Sequence, residues 1–110
     1  MSRAKQIQPS NITGRRIRGL RENLGLSQEK LGVAIGIDES SARARISRYE
    51  LGVHEPPLPT LRLIATALNV PLCYLFCEDN QLAALILALH RLGPEKQALQ
   101  AKELLNTLAR

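Results

Sequence analysis

The sequence predicts an all-α fold, and three observations carry that prediction. Apolar residues recur at helical spacing through most of the 110 residues, and no segment alternates apolar with polar as a half-buried strand would. Leu and Ala, both strong helix formers, dominate the apolar set, and with no Trp, one Phe (Phe76) and two Tyr (Tyr49, Tyr74) the core has to be aliphatic. Gly25, Gly36, Gly52 and the pair Gly93-Pro94 fall between the periodic stretches, where helices end.

Residues 1–11 are polar and aperiodic and are expected to form a flexible arm. A first helix runs over 12–24, with Ile12, Ile17, Leu20 and Leu24 on one stripe, Arg15, Arg16 and Arg18 off it, and Gly25 as its left-handed stop. Ser27 is a good N-cap for a second helix, with Glu29 in its positive first turn. Leu31 and Ile35 point inward, Ala34 is small enough for close approach, and Gly36 breaks the helix. Asp38 or Ser40 caps a third helix whose inward stripe is Ala42, Ile46 and Tyr49. Ser41, Ala44 and Arg48 lie opposite, flanked by Arg45 and Ser47, while Arg43 falls nearer the inward side. Three prolines among residues 56–59 forbid helix there, and Pro59 fits the first position of a fourth helix, to about residue 69, with Leu61, Ile64, Ala65 and Leu68 inward. Pro71 opens a short fifth helix ending near Phe76. After the polar joint Glu78-Asp-Asn, a sixth helix over 81–92 is apolar on nearly every side, and a seventh follows Pro94 with Leu99, Leu104, Leu105 and Leu108.

Charge is unevenly placed. Residues 1–48 hold ten Lys/Arg against four Asp/Glu, a net +6, and the remainder is net −1. The positive field therefore belongs to one half of the chain, the half that carries three arginines within residues 43–48. A short helix pair joined at a glycine, with arginines on the outer face of its second member, suits a major-groove DNA reader: a guanidinium fork matches the two acceptors of guanine. No run of about 18 apolar residues is present, so no membrane segment is expected, and the polar N-terminus does not read as a signal peptide. Cys73 and Cys77 have no His near them and read as buried structural cysteines, with a redox role as the alternative. His54 and His90 lie 36 residues apart without partner ligands. No nucleophile–base arrangement, phosphate-cradling loop or carboxylate cluster appears, so neither catalysis nor a cofactor or metal is expected.

One pattern runs through the chain in order: Arg21-x-x-Leu24-Gly-Leu-Ser-Gln28-x-x-Leu31, then Ile46-Ser-x-Tyr49-Glu50-x-Gly52, Pro57, and Leu61-x-x-Ile64-Ala65-x-Ala67-Leu68-x-Val70. With these residues the chain resembles, over about residues 12–76, a little over half its length, the lambda-repressor-like helix-turn-helix proteins, the XRE family. The resemblance implies a five-helix domain over 12–76 whose third helix enters the major groove. It implies a largely buried salt bridge between Arg21 and Glu50, and phosphate contact by Gln28. It makes Ser40, Ser41, Arg43, Ala44, Arg45, Ser47 and Arg48 the candidate DNA-binding residues. Arg45 and Arg48 are the best base readers; Arg43 matches a base-contact position but could reach phosphate instead. Eight residues separate Ile37 from Ile46 where the family pattern has about four, so the third helix is expected to gain one turn at its N-terminus; a longer loop is the alternative.

Residues 77–110 exceed the usual domain. Their near-continuous apolar helix has to be covered on more than one face, which predicts a helical hairpin that dimerises. The combined expectation is a cytoplasmic regulator of transcription, a homodimeric repressor of bacterial or prophage origin acting on a near-palindromic double-stranded operator. The alternative is an antitoxin or interaction module whose C-terminal helices bind a partner protein.

Overall fold

The computed structural model describes residues 11–110; the arm expected over 1–11 lies, apart from Asn11, outside the described residues. Seven helices follow in order: α1 (Ile12–Asn23), α2 (Gln28–Ala34), α3 (Glu39–Leu51), α4 (Leu58–Ala67), α5 (Leu72–Phe76), α6 (Asn80–His90) and α7 (Pro94–Leu108). No strand occurs among the described residues. The chain divides into two compact units, with the boundary between Phe76 and Cys77.

In the first unit α1, α2, α3, α4 and α5 surround an aliphatic core built on Ile17, Leu31, Ile46, Ile64 and Leu75, all fully buried. The caps explain the short helices. The Ser27 hydroxyl accepts the Lys30 amide at 3.0 Å and starts α2. At its end Gly36 (φ +93°) takes a conformation closed to most side chains, and the Ile37 amide reaches back to the Gly32 carbonyl at 2.9 Å. Between α2 and α3 the chain thus turns within four residues. Asp38, not Ser40, caps α3; its carboxylate accepts both the amide and the hydroxyl of Ser40.

The extra residues before Ile46 are helical. α3 starts at Glu39 and runs 13 residues, about 20 Å, so the added turn lies at its N-terminal end. Two glycines set how closely the helices pack. A Cβ on Gly32 would fall 2.6 Å from the Cβ of Ala42, so α2 and α3 meet there almost backbone to backbone. A Cβ on Gly14 would run into the Glu50 carbonyl and the side chain of Asn11, whose amide donates to that carbonyl at 3.1 Å. The small residue at the α2–α3 crossing is therefore Gly32; Ala34, expected there, is exposed.

Other expectations need correction. Pro59 is the second residue of α4, Pro57 takes the cap position, and α4 ends at Ala67 with Asn69 in the left-handed conformation (φ 57°). Cys73 is exposed and Cys77 half-buried, because Leu75 takes the inward slot of the five-residue α5. In the second unit α6 spans Asn80–His90, one residue earlier at its start and two at its end than the apolar run suggests, because the Asp79 carboxylate caps it through the Leu82 amide at 2.8 Å. α6 and α7 pack together and leave apolar residues exposed. Ala83 alone of α6 is buried, α7 buries none of its residues, and Leu82, Leu85, Leu99, Leu105 and Leu108 are exposed. Among the described residues no helix is long and apolar enough to cross a membrane.

Candidate nucleic-acid interface

The site is built around one buried ion pair. Arg21, in the last turn of α1, donates from Nε to Glu50 Oε2 at 2.6 Å and from Nη2 to Glu50 Oε1 at 3.1 Å. Nη1 donates to the Leu26 carbonyl at 2.9 Å, tying the α1–α2 turn to the same group. The Glu50 side chain is 2% exposed and that of Arg21 11%. A carboxylate so deep is tolerable only because it accepts three hydrogen bonds, the third from Gln28 Nε2 at 3.0 Å. The hydrogen bonds to Glu50 raise the Arg21 pKa above its usual value against the opposing effect of burial, so the guanidinium stays charged throughout the working range.

This network orients the elements beside it. Gln28 is the first residue of α2, and its amide nitrogen is engaged inward while its backbone faces the start of the helix. A cleft of about 540 Å³ opens over the pair, bounded by Arg18 and Arg21 of α1, Gln28 and Glu29 of α2, and Arg43 and Ser47 of α3. Arg43 is exposed and belongs to the outer surface, contrary to its assignment nearer the inward side. It lies about 100° around the helix from buried Ala42, and that flank opens on the cleft beside Gln28 and Glu29, at the start of α2, instead of on the core.

The exposed side of α3 thus has two edges. Arg43 and Ser47, one turn apart, border the cleft with Gln28. Ser41, Arg45 and Arg48 form the other edge at i, i+4 and i+7, and all three are exposed. Arg43 and Arg45 diverge by about 160° around the axis. Between the edges lie exposed Ser40 and Ala44. Ser40 is partly committed, since its hydroxyl bonds to the Asp38 cap. Hydrogen bonds from the Ser40 hydroxyl and amide hold the Asp38 carboxyl below its usual pKa. Among the described residues Arg43, Arg45 and Arg48 make no ion pair, whereas Arg16 stacks over the Tyr74 ring at 5.4 Å and Arg18 pairs with Glu22. No group of three or more His, Cys, Asp or Glu that could hold a metal occurs among the described residues.

A helix-turn-helix family model matches residues 17–75, over half the chain and wholly within the first unit. This chain belongs to the lambda-repressor-like helix-turn-helix family. Two HTH-type transcriptional regulators, from Sinorhizobium medicae and Rhizobium meliloti, are each 41% identical to it over 76 residues, 68% of this chain. The chain spans about half the length of these curated relatives, 51% of each. The helix-turn-helix fold is also similar to the crystal structure of the transcriptional regulator BswR, with 38% identity and a TM-score of 0.80 over 87% of this chain and 95% of that one. In helix-turn-helix terms α2 and α3 are the motif, and α3 is its second helix.

The sequence missed three things at this site: the Gln28–Glu50 hydrogen bond, the Gly32–Ala42 crossing and the place of Arg18 on the cleft wall. The bond had a signal, since a Gln one residue past an N-cap and a Glu on the facing helix were both in the matching pattern. The crossing had the weaker signal of a glycine inside an apolar helix. Arg18 had none beyond its spacing of three from Arg21.

Proposed function

We propose that the chain is a sequence-specific double-stranded DNA-binding regulator that acts as a homodimeric repressor in the bacterial cytoplasm. The observation that carries this reading is the exposed face of α3, which offers three arginines free of ion pairs among the described residues, on a helix held rigidly by the buried Arg21–Glu50 pair. Ala44 lets the helix approach the groove floor. Arg45 and Arg48 read base edges, with Ser41 beside them. Gln28 and Arg43 contact backbone phosphate on the cleft side, with Ser40 and Ser47 as short donors between. The role of α3 follows the family; the division of labour follows from the two edges.

Residues 77–110 supply the dimer contact in this reading. Their exposed leucines amount to several hundred Å² of apolar surface, on the order of the 800 Å² per partner that a stable interface uses. A two-fold pair presents two recognition helices to one face of the duplex, which matches a near-palindromic operator. A partner protein seated on the same leucines is the competing outcome. Titration of labelled duplex at several salt concentrations, with sedimentation of the free chain, tests both halves. Binding that weakens steeply with salt, from a chain already dimeric at micromolar concentration, is expected. Salt-independent binding, or a monomer at tens of micromolar that still binds tightly, overturns the reading.

A further inference from the structure

The cleft over the ion pair has a second arginine wall that the reading above does not use. Arg18 of α1 lines it opposite Arg43 of α3. Arg21, deeper in the same cleft, is neutralised by Glu50, so Arg18 and Arg43 supply its available positive charge, against the single carboxylate of Glu29. Arg18 is held to one side by Glu22, its neighbour one turn on, with Nε 3.1 Å from Oε2. Both side chains are more than half exposed, at 59% and 55%. Exposed pairs at this spacing are weak, because water screens them and two long side chains lose rotamer freedom to hold one geometry. A phosphate is a better partner for a guanidinium fork, accepting two parallel hydrogen bonds once the surfaces close. Arg18 can therefore leave Glu22 at little cost.

We propose that Arg18 is a phosphate-binding residue on the wall opposite Arg43, and that Glu22 competes for it and lowers affinity for every duplex alike. The proposal rests on the DNA-binding reading and adds to it one contact and one intramolecular competitor. Glu22 makes a second, longer approach to Arg21 Nη2 at 3.9 Å, but Arg21 stays with Glu50, so loss of Glu22 frees Arg18 alone.

The test is a double-mutant cycle on the full chain, read by titration of a selected duplex and a scrambled one across a salt series. Arg18→Ala is expected to weaken both by a similar factor, on the order of fivefold to tenfold, and to flatten the slope of log affinity against log salt by about 0.9. Glu22→Gln is expected to tighten both several-fold, and to change little when Arg18 is already Ala. Arg18→Gln should repeat the Arg18→Ala result, and Arg18→Lys should keep most of the salt slope. Both side chains are exposed, so unchanged melting temperatures are expected. An Arg18→Ala chain with wild-type affinity and slope overturns the proposal. So does a Glu22→Gln gain that persists without Arg18, since Glu22 would then act by simple repulsion of the backbone. A wild-type chain that binds no duplex overturns the DNA-binding reading itself, a result distinct from either.

Discussion

Removing Glu50 is the sharpest structural perturbation available. The side chain is 2% exposed and accepts from Arg21 twice and from Gln28 once. Glu50→Ala leaves the Arg21 guanidinium, 11% exposed, with one hydrogen-bond acceptor, the Leu26 carbonyl, and a long ion pair to the exposed Glu22 at 3.9 Å. Stranding one half of a buried pair costs about 3–5 kcal/mol. Arg21 borders the cleft and water can reach part of it, which favours the lower end, about 3 kcal/mol. For a domain of this size that is a fall in Tm of about 12–24 °C. Urea denaturation followed by circular dichroism at 222 nm measures it directly. Glu50→Gln keeps the volume but turns one acceptor into a donor facing Arg21, and should lose about 2 kcal/mol. The double replacement Arg21→Met with Glu50→Leu removes both charges together and should return to within about 1 kcal/mol of wild type. A Glu50→Ala chain within about 0.5 kcal/mol of wild type would refute the argument, because the pair would then have to be solvated.

Four further outcomes follow. Arg45→Ala or Arg48→Ala should cost about 1–3 kcal/mol of binding and relax preference at one base pair per half-site, whereas Gln28→Ala should weaken all sequences evenly; comparing selected motifs across the variants checks this. Gly32→Ala would set two Cβ atoms 2.6 Å apart and should lose about 1–3 kcal/mol in denaturant unfolding. The Asp38 carboxyl has a lowered pKa, so its cap contributes fully above the ordinary carboxyl value near 3.8 and is lost as pH falls through the lower folded value; Asp38→Ala should remove stability at pH 7 and progressively less as pH falls below 3.8, as paired melts would show. Charging the exposed Leu105 and Leu108 to Glu should leave the fold intact and turn a dimer into a monomer in sedimentation, since the two are 66% and 72% exposed in the single chain.

How far the sequence carried depended on how each element is held. α1, α3 and α4 are long enough for their stripes to define a face, and Ile17, Ile46 and Ile64 are buried where the periodicity puts them. Ser27 names the start of α2 through a local hydrogen bond. The added turn of α3 followed from its register with Ile46 as the anchor. Beyond shifts of a residue or two at helix ends, the failures are tertiary. Arg43 was assigned by angle alone, and the angle does not say that this flank of α3 opens on the cleft. Cys73 lies in a helix of five residues, too short for a period to choose a side. Gly32 and Ala34 are both small, and only the crossing point with Ala42 decides which one matters. α6 was expected to need covering on more than one face, in part by a second copy; in the single chain Leu82 and Leu85 are exposed.

Selection of bound fragments from a random duplex library by the full chain tests the central claim most directly. The account predicts one enriched motif, an inverted repeat whose half-site centres lie about 10 base pairs apart or a multiple of that, with preference at one base pair per half-site relaxed on Arg48→Ala. A library that emerges without an enriched motif, from a folded chain that binds duplex only in proportion to charge, would contradict it.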